Sequence, residues 1–267
     1  PVHIAVLLDH SQAVRSLRSA FRLGPGGPAR AHLRFLSTWT ELYDVLASDE
    51  CDLALVLPCL GCPPTSPDPS LAGLETLATR WPREQVVLFV VRPRPGPHLL
   101  RDIGQMGFPY LLVQGIDDDP RTILRTVARA ESRRLLRRQL ESKRAGLDPE
   151  VAALVLDSLT AWPPALSVQD LAQKSGMGRR NLQRVLRQAG LPSPGKLVAL
   201  SRFLEACVLG QRLGVSSRTR IASILGSGDA ASLGHLSRRL ANRPLGEFIG
   251  SEATEDPFSF VADKLRA

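Results

Sequence analysis

At roughly 100–200 residues per domain, a chain of 267 residues has room for two hydrophobic cores, which excludes a minimal peptide module. Hydrophobic residues make up 43% and aromatics 5%, with 21 Gly and 21 Pro; this suits aliphatic cores joined by many turns and excludes global disorder and a collagen-like repeat. The net charge of +8 is uneven: residues 1–120 carry 10 basic against 13 acidic side chains, residues 121–150 carry 9 against 4, and residues 151–267 carry 15 against 9, so a polyanionic partner is expected at the rear.

The opening Pro1-Val2-His3-Ile4-Ala5 has no basic segment leading into a long apolar stretch, so a cytoplasmic location is the default expectation. Residues 3–8 form an apolar strand, and Ser11 caps a helix to about 21 that turns Val14 and Leu17 to one side. A short strand over 31–36 precedes a helix over 40–48, after which Asp52-Leu53-Ala54-Leu55-Val56-Leu57 stops at Pro58 as a central strand. A Pro/Gly-rich loop over 59–69 leads to a helix over 71–80. The apolar run 86–91 follows; it lacks alternation, as a strand covered on both faces does. It falls far short of the roughly 20 residues of a membrane span, and no membrane partner is expected. A helix over 99–106, a strand over 110–114 and a helix over 120–140 complete an open, parallel α/β sandwich.

Two motifs in this half suggest metal chemistry. Cys59-Leu60-Gly61-Cys62 matches C-x-x-C, redox-active or half a zinc site in the right setting, but no second pair exists and the five histidines lack ligand spacing, so loop thiols without metal are expected. Asp117-Asp118-Asp119-Pro120 reads as acids at the positive end of a helix rather than as a cation site.

The order and spacing of residues 1–130 resemble the receiver domain of bacterial response regulators. In that family acidic residues after the first strand bind magnesium, an Asp after the third accepts phosphate, and a hydroxyl and a Lys follow the fourth and fifth. The corresponding positions here are Asp9 and His10, then Leu57, Val90 and Gln114. Leu57 offers neither a nucleophile nor an oxygen ligand, so a pseudo-receiver is expected, kept for dimerisation or protein docking, with a diverged small-molecule sensor as the other reading. No cofactor and no metal are expected.

Residues 121–148 read as a basic connecting helix and linker. Leucines at 124, 135, 136 and 140 run among arginines at 121, 125, 129, 133, 134, 137 and 138. The early part fits packing on the sheet; the later, Leu-rich end offers pairing with a second subunit or contact with DNA phosphates, and a merely solvated charged face is the plainer alternative. Ala145-Gly146-Leu147-Asp148-Pro149 breaks the pattern.

Beyond it the period is helical. A helix over 149–159 ends at Trp162-Pro163-Pro164, with Trp162 expected in the core. Ser167 then opens a short helix that stops at Ser175-Gly176-Met177, and another helix runs from about 178 to 188. Leu182, Val185 and Leu186 turn inward, leaving Arg179, Arg180, Gln183, Arg184 and Arg187 outside. Short helix, tight turn and basic helix form a helix-turn-helix layout, in which Arg can fork onto guanine and Gln can pair with adenine; an ordinary helical bundle is the plainer alternative. After a long helix over 194–209 the layout recurs: a short helix over 217–226, then a helix over 231–240 exposing Ser232, His235, Arg238, Arg239 and Asn242.

Residues 150–250 resemble the AraC-type DNA-binding domain of bacterial transcription regulators. The first helix-turn-helix of that family is matched by Leu171-Ala172-Gln173-Lys174-Ser175-Gly176-Met177-Gly178-Arg179-Arg180-Asn181-Leu182-Gln183-Arg184. Its other helix-turn-helix resembles Ile221-Ala222-Ser223-Ile224-Leu225-Gly226 continuing to Leu236-Ser237-Arg238-Arg239-Leu240, and its closing segment resembles Pro244-Leu245-Gly246-Glu247-Phe248-Ile249. Ser227 stands where an aromatic is usual, and about three extra residues precede the rear recognition helix. The resemblance implies that the long central helix holds two recognition helices about one duplex turn, roughly 34 Å, apart. Arg179, Arg180, Gln183, Arg238 and Arg239 are then expected to read bases, and Arg184 and Arg187 to meet phosphates. His235 lies either at the groove or idle on the helix surface.

The fold class expected is thus an α/β receiver-like (flavodoxin-like) N-terminal domain over 1–120 and an all-α C-terminal domain over 149–250 with two helix-turn-helix motifs, followed by a tail over 251–267 whose acidic 251–256 lies off the DNA. The function expected is a DNA-binding transcription regulator acting without phosphorylation. Its partners would be double-stranded DNA and another copy of the chain bound through the front domain or connecting helix, with RNA polymerase a further candidate. The alternative is a non-catalytic protein-interaction adaptor. An enzyme is not expected, since Gly24-Pro25-Gly26-Gly27 lacks the Lys-Ser/Thr of a phosphate loop and no nucleophile-base pair stands out.

Overall fold

The computed structural model describes residues 2–7, 11–22, 31–57, 69–90, 97–142, 149–160, 167–226, 229–249 and 253–265. Asp9 and His10, the glycine-rich segment at 24–27, Cys59 and Cys62, the break at 145–148, Trp162 and Ser227 lie outside these residues. The chain divides into two compact units, 1–131 and 132–267.

In the first unit strands and helices alternate: β1 (Val2–Leu7), α1 (Ser11–Arg22), β2 (Ala31–Leu36), α2 (Trp39–Ala47), β3 (Leu53–Val56), α3 (Pro69–Arg80), β4 (Val86–Val90), α4 (Pro97–Met106), β5 (Tyr110–Val113) and the first half of α5 (Pro120–Ser142), whose second half belongs to the other unit. The five strands are all parallel, in the order β2-β1-β3-β4-β5, which is the flavodoxin-like winding. Composition explains which strand sits where. The continuous apolar strands β3 and β4 are buried at every residue, whereas β2 and β5 form the edges and alternate. Ala5, Leu7, Ala54, Val56, Leu88 and Val90 share one core with Leu42, Val45 and Leu46 of α2, Leu74 and Leu77 of α3 and Ile103 of α4. Their strand neighbours Ile4, Val6, Leu53, Leu55, Val87 and Phe89 are equally buried and point to the opposite face, where a right-handed crossover places α1.

Caps fix the helix starts. Thr38 and Glu41 close a full capping box on α2, which makes Trp39 its first helical residue. Asp119 accepts from the backbone N–H groups of Arg121 and Thr122 at 3.0 and 3.1 Å and so caps α5, while Asp117 accepts from the Val113 N–H at 3.0 Å. These acids serve the chain ends they flank. Burial alone would raise the Asp119 carboxyl, but the Thr122 hydroxyl, the two N–H groups and the Arg125 charge together hold it below the ordinary value.

The connecting helix departs from a solvated charged face. Arg129 and Arg134 are 1% and 4% exposed, Glu131 and Ser132 are buried with them, and Arg125, Arg133 and Arg137 are half-buried. Of the arginines expected to face outward, Arg121 and Arg138 do so. Leu136, expected to offer itself to another subunit, is also buried within the chain.

The second unit holds α6 (Pro149–Thr160), α7 (Val168–Lys174), α8 (Arg179–Gln188), α9 (Pro194–Cys207), α10 (Arg218–Leu225), α11 (Ala230–Ala241) and α12 (Pro257–Lys264). Helix α9 starts on Pro194, pre-set for a first turn, and from Leu197 to Cys207 is buried at every residue but Arg202. It packs against α6, α7, α8, α10, α11 and α12. Residues 251–267, expected as a tail, hold α12 instead. Asp256 caps it, accepting from the N–H groups of Phe258 and Ser259, and Phe258, Val261 and Leu265 are buried. The ring of Phe260 lies 5.6 Å from Phe203 of α9, which also meets Phe248 edge-on at 4.9 Å. The short apolar spacing 257–265 after an acidic stretch concealed this element. At the end of α9 a π-helical turn, Val208–Arg212, brings Gly210 against Ile249, where a β-carbon would overlap the isoleucine side chain. Among the described residues, no helix is long and apolar enough to cross a membrane.

Replacing Asp119 by Ala is expected to lower stability at neutral pH by about 0.5–2 kcal/mol, the usual worth of an N-cap. Because the folded-state pKa is depressed, this contribution is fully present above the unfolded value near pH 4 and is lost as pH falls through the lower folded value. Denaturant titrations of the two proteins across that range should converge at acid pH.

Candidate nucleic-acid interface

The first candidate unit is α7, the connector 175–178 and α8. Ser167 accepts from the Asp170 N–H at 3.2 Å to start α7, and Gly176, at φ +64, supplies the left-handed turn that few other residues adopt cheaply. Leu171, Ala172, Leu182 and Leu186 are buried and hold the pair together. The opposite side of α8 presents Arg179, Arg180, Gln183, Arg184 and Arg187, all exposed, so the side chains expected there share one surface. Asn181 and Gln188 are an addition to it. Arg184 donates to Asn181 Oδ1 at 2.8 Å and to Gln188 Oε1 at 3.1 Å, which holds its guanidinium along the helix; i, i+3 and i, i+4 polar spacing was the available signal.

The start of α8 breaks the ordinary rules of helix stability. Its N-cap is Gly178, which has no side chain to satisfy the first N–H groups, and no acid lies in the first turn. Arg179 and Arg180 stand there instead, each placed against the helix dipole at a cost of roughly 0.3–1 kcal/mol. No carboxylate side chain occurs anywhere from 175 to 193. Unsatisfied N–H groups, the positive end of a dipole and two guanidinium groups therefore converge on one exposed point, an arrangement suited to an anion. Rule-breaking of this kind concentrates where a surface is kept for binding.

The other unit is α10, the connector 226–229 and α11. Gly226, at φ +67, ends α10. Helix α11 begins at Ala230 rather than 231, with Asp229 as its N-cap. Leu233, Ser237 and Leu240 are buried, while Ser232, His235, Arg238, Arg239 and Asn242 are exposed on the other side. Two of these five also have structural work. Asn242 takes φ +55 to end the helix, its N–H returning to Arg238; Ser232 gives both its N–H, at 2.6 Å, and its hydroxyl to Asp229. Those two bonds, the backbone one first, hold Asp229 below its ordinary pKa. Arg238 and Arg239 lie in the last turn. Just beyond, Arg243 pairs with Glu247 and Glu255, so the acidic segment before α12 engages a cation next to this helix.

In the receiver-like unit Leu57, Val90 and Gln114 do come together at the C-terminal edge of the sheet, the edge at which open α/β folds bind ligands. Leu57 donates its N–H to Leu7 at 3.0 Å and Gln114 donates its own to Val90 at 2.9 Å. All three are buried, and their side chains are two aliphatics and a neutral amide, with no carboxylate to accept a phosphoryl group. Among the described residues, no group of three or more His, Cys, Asp and Glu side chains is placed to hold a metal ion.

The chain matches no known protein family and no curated protein. Among solved structures it is similar to RcsB from Salmonella enterica serovar Typhimurium bound to promoter rprA, at 11% identity over 74% of this chain and 97% of that one, with a TM-score of 0.35. It is also similar to full-length FixJ from B. japonicum, at 14% identity over 85% and 98% of the two chains, with a TM-score of 0.34.

The open start of α8 carries a direct prediction. Gly178→Asp, which meets open space, should add a capping carboxylate and raise the midpoint of thermal unfolding through a gain of roughly 0.3–1 kcal/mol. A lowered midpoint would mean that the first turn is already satisfied.

Proposed function

We propose that this protein is a sequence-specific double-stranded DNA-binding transcription regulator with an AraC-like pair of helix-turn-helix units and a receiver-like front domain that has lost phosphoacceptor chemistry. The observation that carries the reading is α8: an uncapped, acid-free, arginine-fronted helix is unfavourable in isolation and favourable against a polyanion. Its width suits the major groove, where N-terminal residues of a recognition helix meet base edges. Arg179, Arg180 and Gln183 then read bases, while Arg187, further along, and Arg184, held by its neighbours, meet phosphates. The AraC-like arrangement is supported by the order of elements, a short helix and a recognition helix on either side of a long buried helix. The front unit serves as a dimerisation or docking module, since Leu57, Val90 and Gln114 supply no phosphorylation chemistry. RNA polymerase is a further partner consistent with this class.

Selection from a random duplex pool by the full chain, followed by salt titration of the winning duplex, tests the reading. Arg180→Ala should cost about 1–3 kcal/mol on the selected duplex and relax its sequence preference. Arg187→Ala should weaken all duplexes evenly and reduce the salt slope by about one. Equal, sequence-independent losses from both would remove base reading, and salt-insensitive or absent duplex binding would favour the protein-interaction adaptor. Incubation with a small labelled phosphodonor should leave the chain unlabelled; stoichiometric labelling would overturn the degenerate-receiver assignment.

A further inference from the structure

The two candidate recognition helices are built alike in position and oppositely in charge. Helix α8 opens on Gly178 with no side-chain cap and continues Arg179-Arg180, whereas α11 opens on Asp229, whose carboxylate sits on the first-turn N–H groups. Lys and Arg are absent from the first two turns of α11, and its arginines stand in the last turn. Helix α11 is thus compensated at both ends of its dipole, while α8 is opposed at its start.

Resting on the duplex-binding reading above, we propose that Asp229 is a specificity-determining residue that divides the work between the two helices. It keeps the first turn of α11 away from the phosphate backbone, so that α8 reads sequence and α11 contributes backbone contact through Arg238 and Arg239. A phosphate approaching that first turn meets a carboxylate instead of free N–H groups. The carboxylate is a poor reader in its own right: the backbone N–H groups of Ala231 and Ser232 and the Ser232 hydroxyl already donate to it, which leaves little acceptor capacity for a cytosine amino group. The same bonds withdraw the Ser232 hydroxyl from base edges. Arg238 and Arg239, far from the helix start where edges are read, are phosphate contacts under this proposal rather than the base readers expected from sequence. Specificity here includes a repulsive element as well as attractive ones.

The test uses the full chain and two neutral replacements, Asp229→Asn and Asp229→Ser, both good N-caps, with unchanged thermal midpoints as the folding control. Wild type should select a motif with one well-defined block, and the preference within that block should relax in Arg180→Ala. Each Asp229 variant should bind mixed-sequence duplex about three- to fivefold more tightly, with a salt slope steeper by about one. Unchanged affinity, or weaker binding with loss of part of the motif, would overturn the proposal, the latter by making Asp229 a base contact. If wild type and variants alike bind no duplex, the DNA reading itself falls, an outcome distinct from unequal variants on a duplex that does bind.

Discussion

The helical unit depends on the burial of one helix. From Leu197 onward α9 is covered, with Leu197, Leu200, Phe203, Leu204 and Cys207 at 1% exposure or less, and the covering elements are the flanking helix pairs together with α6 and α12. A helix this rich in apolar side chains must bury them, and each buried Leu or Phe contributes roughly 1.5–3 kcal/mol. The two helix-turn-helix units therefore share one core, so that α8 and α11 are anchored to a common shaft rather than strung along a flexible chain. Phe260 and Phe248 close on Phe203 from the C-terminal side, which makes α12 part of that shaft's casing. Burial also pushes the Cys207 thiol well above its ordinary pKa, as befits a packing residue.

Against this rigid background α8 and α11 differ in how they meet their own dipoles. Helix α11 is finished at both ends, by Asp229 and by Asn242. Helix α8 is left open at its start and loses stability against its dipole, a local inconsistency within an otherwise consistent unit. The core holding α8 through Leu182 and Leu186 supplies the stability that its first turn does not. That division, with packing carrying the fold and an exposed turn left unfavourable alone, is what gives α8 its place in the proposed function.

The first unit shows how a fold and a chemistry are separate matters. Its winding places the ends of β3, β4 and β5 side by side, and Leu57, Val90 and Gln114 stand there. Two of the three are aliphatic, and packing them raises the apolar content of that edge. A fold defines where a site can be, while the residues define whether one exists.

Much of this was legible from residues alone. Period-two and unbroken apolar runs located the strands, because a side chain's face follows from backbone geometry. Leu182, Val185 and Leu186 against Arg179, Arg180, Gln183, Arg184 and Arg187 sorted the faces of α8 for the same reason. What depends on contacts distant in sequence was not legible. The burial of Arg129 and Arg134, the folding of 257–265 onto α9, and the need for glycine at position 210 all arise from neighbours that no local pattern names. Asp229 lies between these cases: its residue type is a cap, but where α11 begins was decided only when Leu233, Ser237 and Leu240 were docked. Sequence by itself determined the periodicity of each element, its polar face and the side-chain chemistry available at each position, all short-range properties of the chain. The tertiary structure decided which charges are buried and which helix start is closed, because desolvation and capping depend on what packs against a residue rather than on what adjoins it.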